Sequence, residues 1–193
     1  MSACENPFAT RRVEKLLSFD PRLCGTSWEE LEDRWENMGR QACVTGRHGA
    51  GKTTFLDGFE RHLELKYRVV RLFFHEGHRD LGKEERGLLS KLEGAVLLID
   101  GDDHLPSLQR RELFRWAHDA RGWLSARHRK QGIPELLRLA PDEVLVEVLW
   151  RRLLPESAGA HLDWAGRLEA HRGNLRELWL ECYDRWNGEE VKF

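Results

Sequence analysis

No apolar run in this 193-residue chain approaches the ~20 residues of a membrane helix, so a spanning helix is not expected. The first residues lack the hydrophobic stretch of a secretory signal, so export is not expected either. Cysteine is scarce: Cys4, Cys24, Cys43 and Cys182 form no C-x-x-C pair, and no Cys/His spacing suits a zinc site. Reduced thiols in a cytoplasmic protein are the expectation. Neither sign of charge is in large excess. Lys and Arg total 31 against 33 Asp and Glu, a net charge of -2. Bulk charge therefore recruits neither nucleic acid nor an anionic membrane, although a local basic patch stays open. There is no internal repeat and no low-complexity tract. What is present suits a folded domain: 40% hydrophobic residues, 33% charged residues and eight scattered tryptophans, expected in the core or on helix faces.

The pattern along the chain alternates strands and helices. A helix over 8–19 ends before Asp20-Pro21. A second follows an N-cap at Thr26-Ser27, with Glu29 or Glu30 completing the cap and Trp28, Leu31 and Trp35 on one face. Strands are expected over 41–45, 67–74, 95–99 and 122–126, with a fifth over 135–139, and helices over 52–66 and 106–121. The polar stretch 75–86 reads as a loop or frayed helix and 88–92 as a helical turn. The last third reads as three helices, 142–154, 161–171 and 174–187, punctuated by Pro141, Pro155 and Gly173. The expected fold class is α/β: a parallel sheet flanked by helices, with an appended helical subdomain.

Three motifs carry chemistry. Gly46-Arg47-His48-Gly49-Ala50-Gly51-Lys52-Thr53 fits G-x-x-x-x-G-K-[ST], with Thr54 beside it. Glycines let the backbone wrap a phosphate, and the free N–H groups and the helix N-terminus form an anion nest. Lys52 brings a cation to the β and γ oxygens, and the Thr53 hydroxyl can ligate magnesium. ATP and Mg2+ are therefore the expected ligands. The apolar run Ala95-Val96-Leu97-Leu98-Ile99 ends in Asp100, an acid at the carboxyl edge of the sheet that suits magnesium. In the turn Gly101-Asp102-Asp103-His104 a carboxylate can polarise an attacking water, Asp103 first and Asp102 second, or the pair is a solvated acidic turn. In Gly173-Asn174-Leu175-Arg176-Glu177-Leu178, Asn174 can cap the last helix, which puts Arg176 in its first turn. The helix dipole disfavours a cation there, which hints at a phosphate partner; the alternative is a surface pair with Glu177 or Glu181. The stretch 110–130 holds Arg110, Arg111, Arg115, Arg121, Arg127, Arg129 and Lys130 against Glu112 and Asp119. It reads as a solvated face, an arginine reaching a neighbour's nucleotide, or a DNA-facing patch.

These residues resemble the AAA+ ATPases and, more loosely, the STAND switch ATPases. The resemblance covers most of 6–186. It implies a P-loop α/β core over 41–141, a helical lid over 142–193 and an N-terminal helical segment over 1–40 on the adenine side. It further implies that Asn6-Pro7-Phe8 lies near the base. Ser125, or next His128, is then the polar sensor after the Asp strand, and Arg176 senses the γ-phosphate. The Asp100-Gly101-Asp102-Asp103 turn is similar to the D-G-x-D/E form of STAND proteins. Two features depart from the pattern: an aspartate stands in for the usual catalytic glutamate, and no arginine-finger motif is visible. The implied function is a Mg-dependent ATPase acting as a switch or motor on a protein or nucleic-acid partner, or on further copies of itself. A nucleotide-binding switch with little turnover is the alternative, and a small-molecule kinase a more distant one.

Overall fold

The computed structural model describes residues 6–154 and 162–186; the sequence readings at Cys4, Pro155, His161 and Asn187 lie outside the described residues. Five strands form one sheet in the order β2-β3-β4-β1-β5. They are β1 (Gln41–Gly46), β2 (Val69–Phe73), β3 (Val96–Asp100), β4 (Gly122–Arg127) and β5 (Glu135–Leu139). The pairs β1·β4, β2·β3 and β3·β4 are parallel, and the register places Asp100 between Phe73 and Ala126. Every residue of β3 and β4 is buried. That explains the apolar run of β3 up to Asp100, since a parallel strand covered on both faces has no solvent side, and it leaves Ser125 and Arg127 of β4 as buried polar residues.

The helices are α1 (Thr10–Leu16), α2 (Trp28–Asn37), α3 (Lys52–Leu63), α4 (Lys83–Leu89), α5 (Ser107–Ala117), α6 (Glu143–Leu153), α7 (Trp164–Ala170) and α8 (Leu175–Arg185). Helix α2 begins as its sequence dictates. Ser27 Oγ accepts from the Glu30 amide at 3.2 Å, and the Glu30 carboxylate accepts from the Ser27 amide at 3.2 Å. Such a reciprocal cap contributes about 1 kcal/mol. The segment 75–86 is not a loop throughout: 83–86 open α4, where Glu84 and Glu85 favour the helix N-terminus. The first helix is shorter than its pattern suggests, and a 3-10 turn, Pro21–Cys24, follows it.

The chain forms two compact units. One comprises 20–46 and 52–138, the sheet with α2 to α5. In it α3 packs on β1, β3 and β4. Its buried Phe55 and Phe59 meet Trp28 and Trp35 of α2 at centroid distances of 5.6 and 6.2 Å. Helices α4 and α5 deliver Leu89, Leu113 and Ala117 to a cluster with Leu97, Ile99 and Trp123. The other unit comprises 1–19, 47–51 and 139–193. Its core gathers Phe8, Trp150, Trp164, Leu178 and Trp179. Among the described residues no helix is long and apolar enough to cross a membrane.

Candidate functional site

Strand β1 ends at buried Gly46 and α3 opens at Lys52. The intervening turn passes through Gly49 at φ 66° and Gly51 at φ 92°. Position 49 excludes a side chain twice over. Its left-handed backbone favours glycine, and a Cβ would lie 1.7 Å from Asn174 Oδ1. The Gly49 carbonyl also accepts the Leu175 amide at 3.2 Å, and the Arg47 guanidinium donates to the Arg172 carbonyl at 3.1 Å. Of the turn's other residues, His48 is exposed and Ala50 buried.

Lys52 Nζ donates to the Gly46 carbonyl at 2.8 Å. Burial pushes this ammonium down from the ordinary lysine value, while Asp100 and Asp103 act to hold it up. Asp100 closes β3 with 5% of its surface exposed. Burial pushes its carboxyl up, opposed by a hydrogen bond with Thr53 and by the charges of Arg71 and Lys52. Thr53 is exposed and Thr54 half-buried in the first turn of α3. Sequence reasoning did not pick out Arg71. Its Nη1 lies 2.8 Å from Asp57 and 2.9 Å from Glu60, and its Nη2 3.4 Å from Asp100. The signal was there, a lone cation inside the apolar run of β2, but its three acidic partners come from two other elements.

The two neighbouring aspartates have different surroundings. Asp102 is fully buried. Its Oδ1 accepts from Ser125 Oγ at 2.5 Å and from Arg127 Nε at 3.0 Å, and its Oδ2 accepts from Arg127 Nη2. The Arg127 guanidinium also lies over the Phe114 ring, 5.0 Å from its centroid. Arg127 is thus an internal residue rather than part of a surface patch, and Ser125 turns its hydroxyl to Asp102. Asp103 is exposed, with Oδ2 3.5 Å from His128 Nε2, and His128 Nδ1 lies 3.3 Å from the Gly46 carbonyl. Between Asp100 and this pair, Gly101 has φ 78°, and a Cβ there would come within 2.2 Å of the Phe74 carbonyl oxygen.

In the helical unit, Asn174 Oδ1 caps α8 by accepting from the Arg176 and Glu177 amides at 3.1 and 3.2 Å. Arg176 is exposed in the first turn and has no ion-pair partner among the described residues. Glu181, one candidate surface partner, is taken by Arg167, His171 and Arg185 at 3.4, 2.8 and 2.9 Å. Asn6, Pro7 and Phe8 are all buried. Asn6 Nδ2 donates to the Tyr183 carbonyl at 3.0 Å, and its Oδ1 accepts the Phe8 amide at 2.9 Å. The Phe8 ring lies 5.2 Å from Trp150 and 6.2 Å from Trp179.

The structure is similar to that of Cdc6p from Pyrobaculum aerophilum, with a TM-score of 0.53 and 17% identity over 82% of this chain and 59% of that one. The fold is AAA+-like. RuvB from Thermotoga maritima, described as a Holliday junction branch migration motor, is also similar, with a TM-score of 0.49 and 18% identity over 81% of this chain and 59% of that one. The chain spans about three fifths of the length of both structures. No protein-family model and no curated protein matches it. At such identities the AAA+-like likeness speaks for the fold. In this AAA+-like fold, Asp100, Ser125 and Arg127 stand on the adjacent strands β3 and β4, with Asp102 and Asp103 in the turn that follows β3.

Proposed function

We propose that the protein binds ATP with magnesium through Gly46, Arg47, His48, Gly49, Ala50, Gly51, Lys52, Thr53 and Thr54, and acts as an ATP-dependent switch with hydrolytic capacity. The observation that carries this reading is the arrangement of Lys52 and Thr53 directly after the glycine turn, with the Asp100 carboxylate hydrogen-bonded to Thr53. Backbone N–H groups of the turn and the start of α3 suit a polyphosphate, and Lys52 adds the cation. Thr53 and Asp100 are hard oxygen donors. Among the described residues no group of three or more His, Cys, Asp or Glu suits a metal. Thr53 and Asp100 would be the residues that hold a magnesium ion, an ion that usually keeps water and substrate phosphate oxygens as its other ligands. Bound there, it would neutralise charge on the transferred phosphate.

Asp103 is the carboxylate free to take a proton from water, with His128 beside it, whereas Asp102 is committed to Ser125 and Arg127. Arg176, one residue beyond the amide that meets Gly49, is our candidate for distinguishing triphosphate from diphosphate. The buried Cys43 and Cys182 thiols are pushed up by desolvation to about 11 and about 12, which suits unreactive thiols. A switch also calls for a partner, either another protein or further copies of the chain, that distinguishes its two nucleotide states.

Gly101 favours a second reading, a switch with little turnover. No side chain can follow Asp100 directly, because the position is left-handed and closed by the Phe74 carbonyl. The nearest free carboxylate is thus the shorter-reaching Asp103. Single-turnover ATP hydrolysis separates the two readings. Asp103→Asn should slow the step about 100-fold or more while leaving ATP affinity unchanged. Negligible hydrolysis by the original chain would leave the low-turnover switch, and equal measurable rates in both proteins would exclude Asp103 as the base.

A further inference from the structure

The basic stretch 110–130 is not one feature once folded. Arg127 is buried against Asp102, and the Arg121 guanidinium lies over the Tyr67 ring at 4.7 Å. What remains on α5 is a single helical stripe. Ser107, Arg110, Arg111, Phe114, Arg115 and His118 line one shallow groove of about 390 Å³. Their spacing is that of successive turns on one face, and the stripe from Arg110 to His118 runs about 12 Å along the helix axis. None of its three arginines has an ion-pair partner among the described residues. The acid on the same helix, Glu112, is held by Arg86 of α4 at 2.8 Å. The positive charge of the groove is therefore left largely uncompensated, on a chain whose net charge is -2.

We infer that this groove is a docking surface for a nucleic-acid strand, gripped through its phosphates. Three features of the groove favour that occupant. Its cations are guanidinium groups, whose planar fork matches phosphate oxygens. It includes a hydroxyl, Ser107, and a half-buried aromatic ring, Phe114, of the kind against which bases stack. Its lining is mostly cationic, Leu113 and Ala117 of α5 are already packed in the core, and the exposed Leu108 is a single apolar side chain, too little for a protein helix or a lipid surface to grip. The groove also touches the buried network, because the Phe114 ring that lines it carries the Arg127 guanidinium on its face. This inference goes beyond the ATP reading and does not depend on it.

The test uses the whole chain without nucleotide. Fluorescence anisotropy at low salt would follow binding of a labelled single-stranded oligodeoxynucleotide and of its duplex. The original chain should bind at least one of them, with affinity falling as salt rises. Arg111→Glu with Arg115→Glu should lower that affinity at least tenfold and reduce the slope of log affinity against log salt by about 2, one for each phosphate contact removed. Arg111→Ala with Arg115→Ala should act in the same direction by a smaller factor. Arg11→Glu with Arg12→Glu, a charge reversal of equal size on exposed residues of α1, should change little. Far-UV circular dichroism would confirm that each variant is folded. Absence of binding to either nucleic acid, unchanged affinity in both α5 variants, or an equal loss in the α1 control would overturn the proposal. So would competition by polyglutamate as strong as that by unlabelled oligonucleotide, which would point to an acidic protein partner instead.

Discussion

The carboxyl edge of β3 and β4 and the junction of the glycine turn with α8 are both built from polar groups, but they are held together by different forces. At the strand edge the polar groups are charged and buried. Asp102 and Arg127 are sealed together with Ser125, and Asp100 is shut in beside Arg71. At the junction no ion pair is buried: the contacts are an asparagine cap, a backbone hydrogen bond, a glycine with no room for a methyl group, and the Arg47 guanidinium on a carbonyl. Buried charge is costly to leave unpaired, whereas a neutral contact fails by small steps. Substitutions at the strand edge should therefore threaten the fold itself. Substitutions at the junction should tune what the site senses while the fold survives.

The sharpest break should come from Arg127→Met, which strands the Asp102 carboxylate in the interior. A loss of about 3–5 kcal/mol is expected in denaturant unfolding. Asp102→Asn combined with Arg127→Met should recover part of it, because no charge is then left alone. A loss under about 1 kcal/mol for Arg127→Met would mean that the pair behaves like a surface ion pair. Next in size is Gly49→Ala at the junction. The left-handed backbone alone costs about 1–2 kcal/mol, and the added methyl group must displace the Asn174 cap. Thermal unfolding of this variant should show a larger loss than Asn174→Ala, which forfeits only the cap, about 1 kcal/mol. The reverse order would show that Asn174 does not constrain the turn. Arg176→Ala should leave stability almost untouched and lower ATP affinity more than ADP affinity, by about 1–3 kcal/mol, as for a charge-assisted hydrogen bond. Calorimetric titration of both nucleotides reads this directly, and equal losses would remove Arg176 from the γ-phosphate.

The glycine turn and the α8 cap were legible because their chemistry is local, whereas their meeting at Gly49 and Leu175 was not, since those residues lie far apart in the chain. The run from Gly46 to Thr53 and the cap at Asn174 are short patterns whose residues bond to near neighbours. Asp100 was legible for a related reason, since an acid closing an apolar run must emerge at the sheet edge. The buried charge pairs were not. Arg127 stood in the sequence among six other basic residues, and only the turn after β3 brings Asp102 onto it. Arg71 likewise finds Asp57, Glu60 and Asp100 only once α3, β2 and β3 are assembled. The start of α4 was obscured by the polarity of 75–86, because a solvated helix and a solvated loop share one composition.

A triphosphate held by the glycine turn and Lys52 underlies every proposed role of the other site residues. Titration of a fluorescent ATP analogue, with and without magnesium, into the original chain and into Lys52→Ala tests that claim most directly. Saturable, magnesium-enhanced binding by the original chain is expected, with its loss or severe weakening in the variant. Equal binding by both proteins, or none by the original chain, would contradict it.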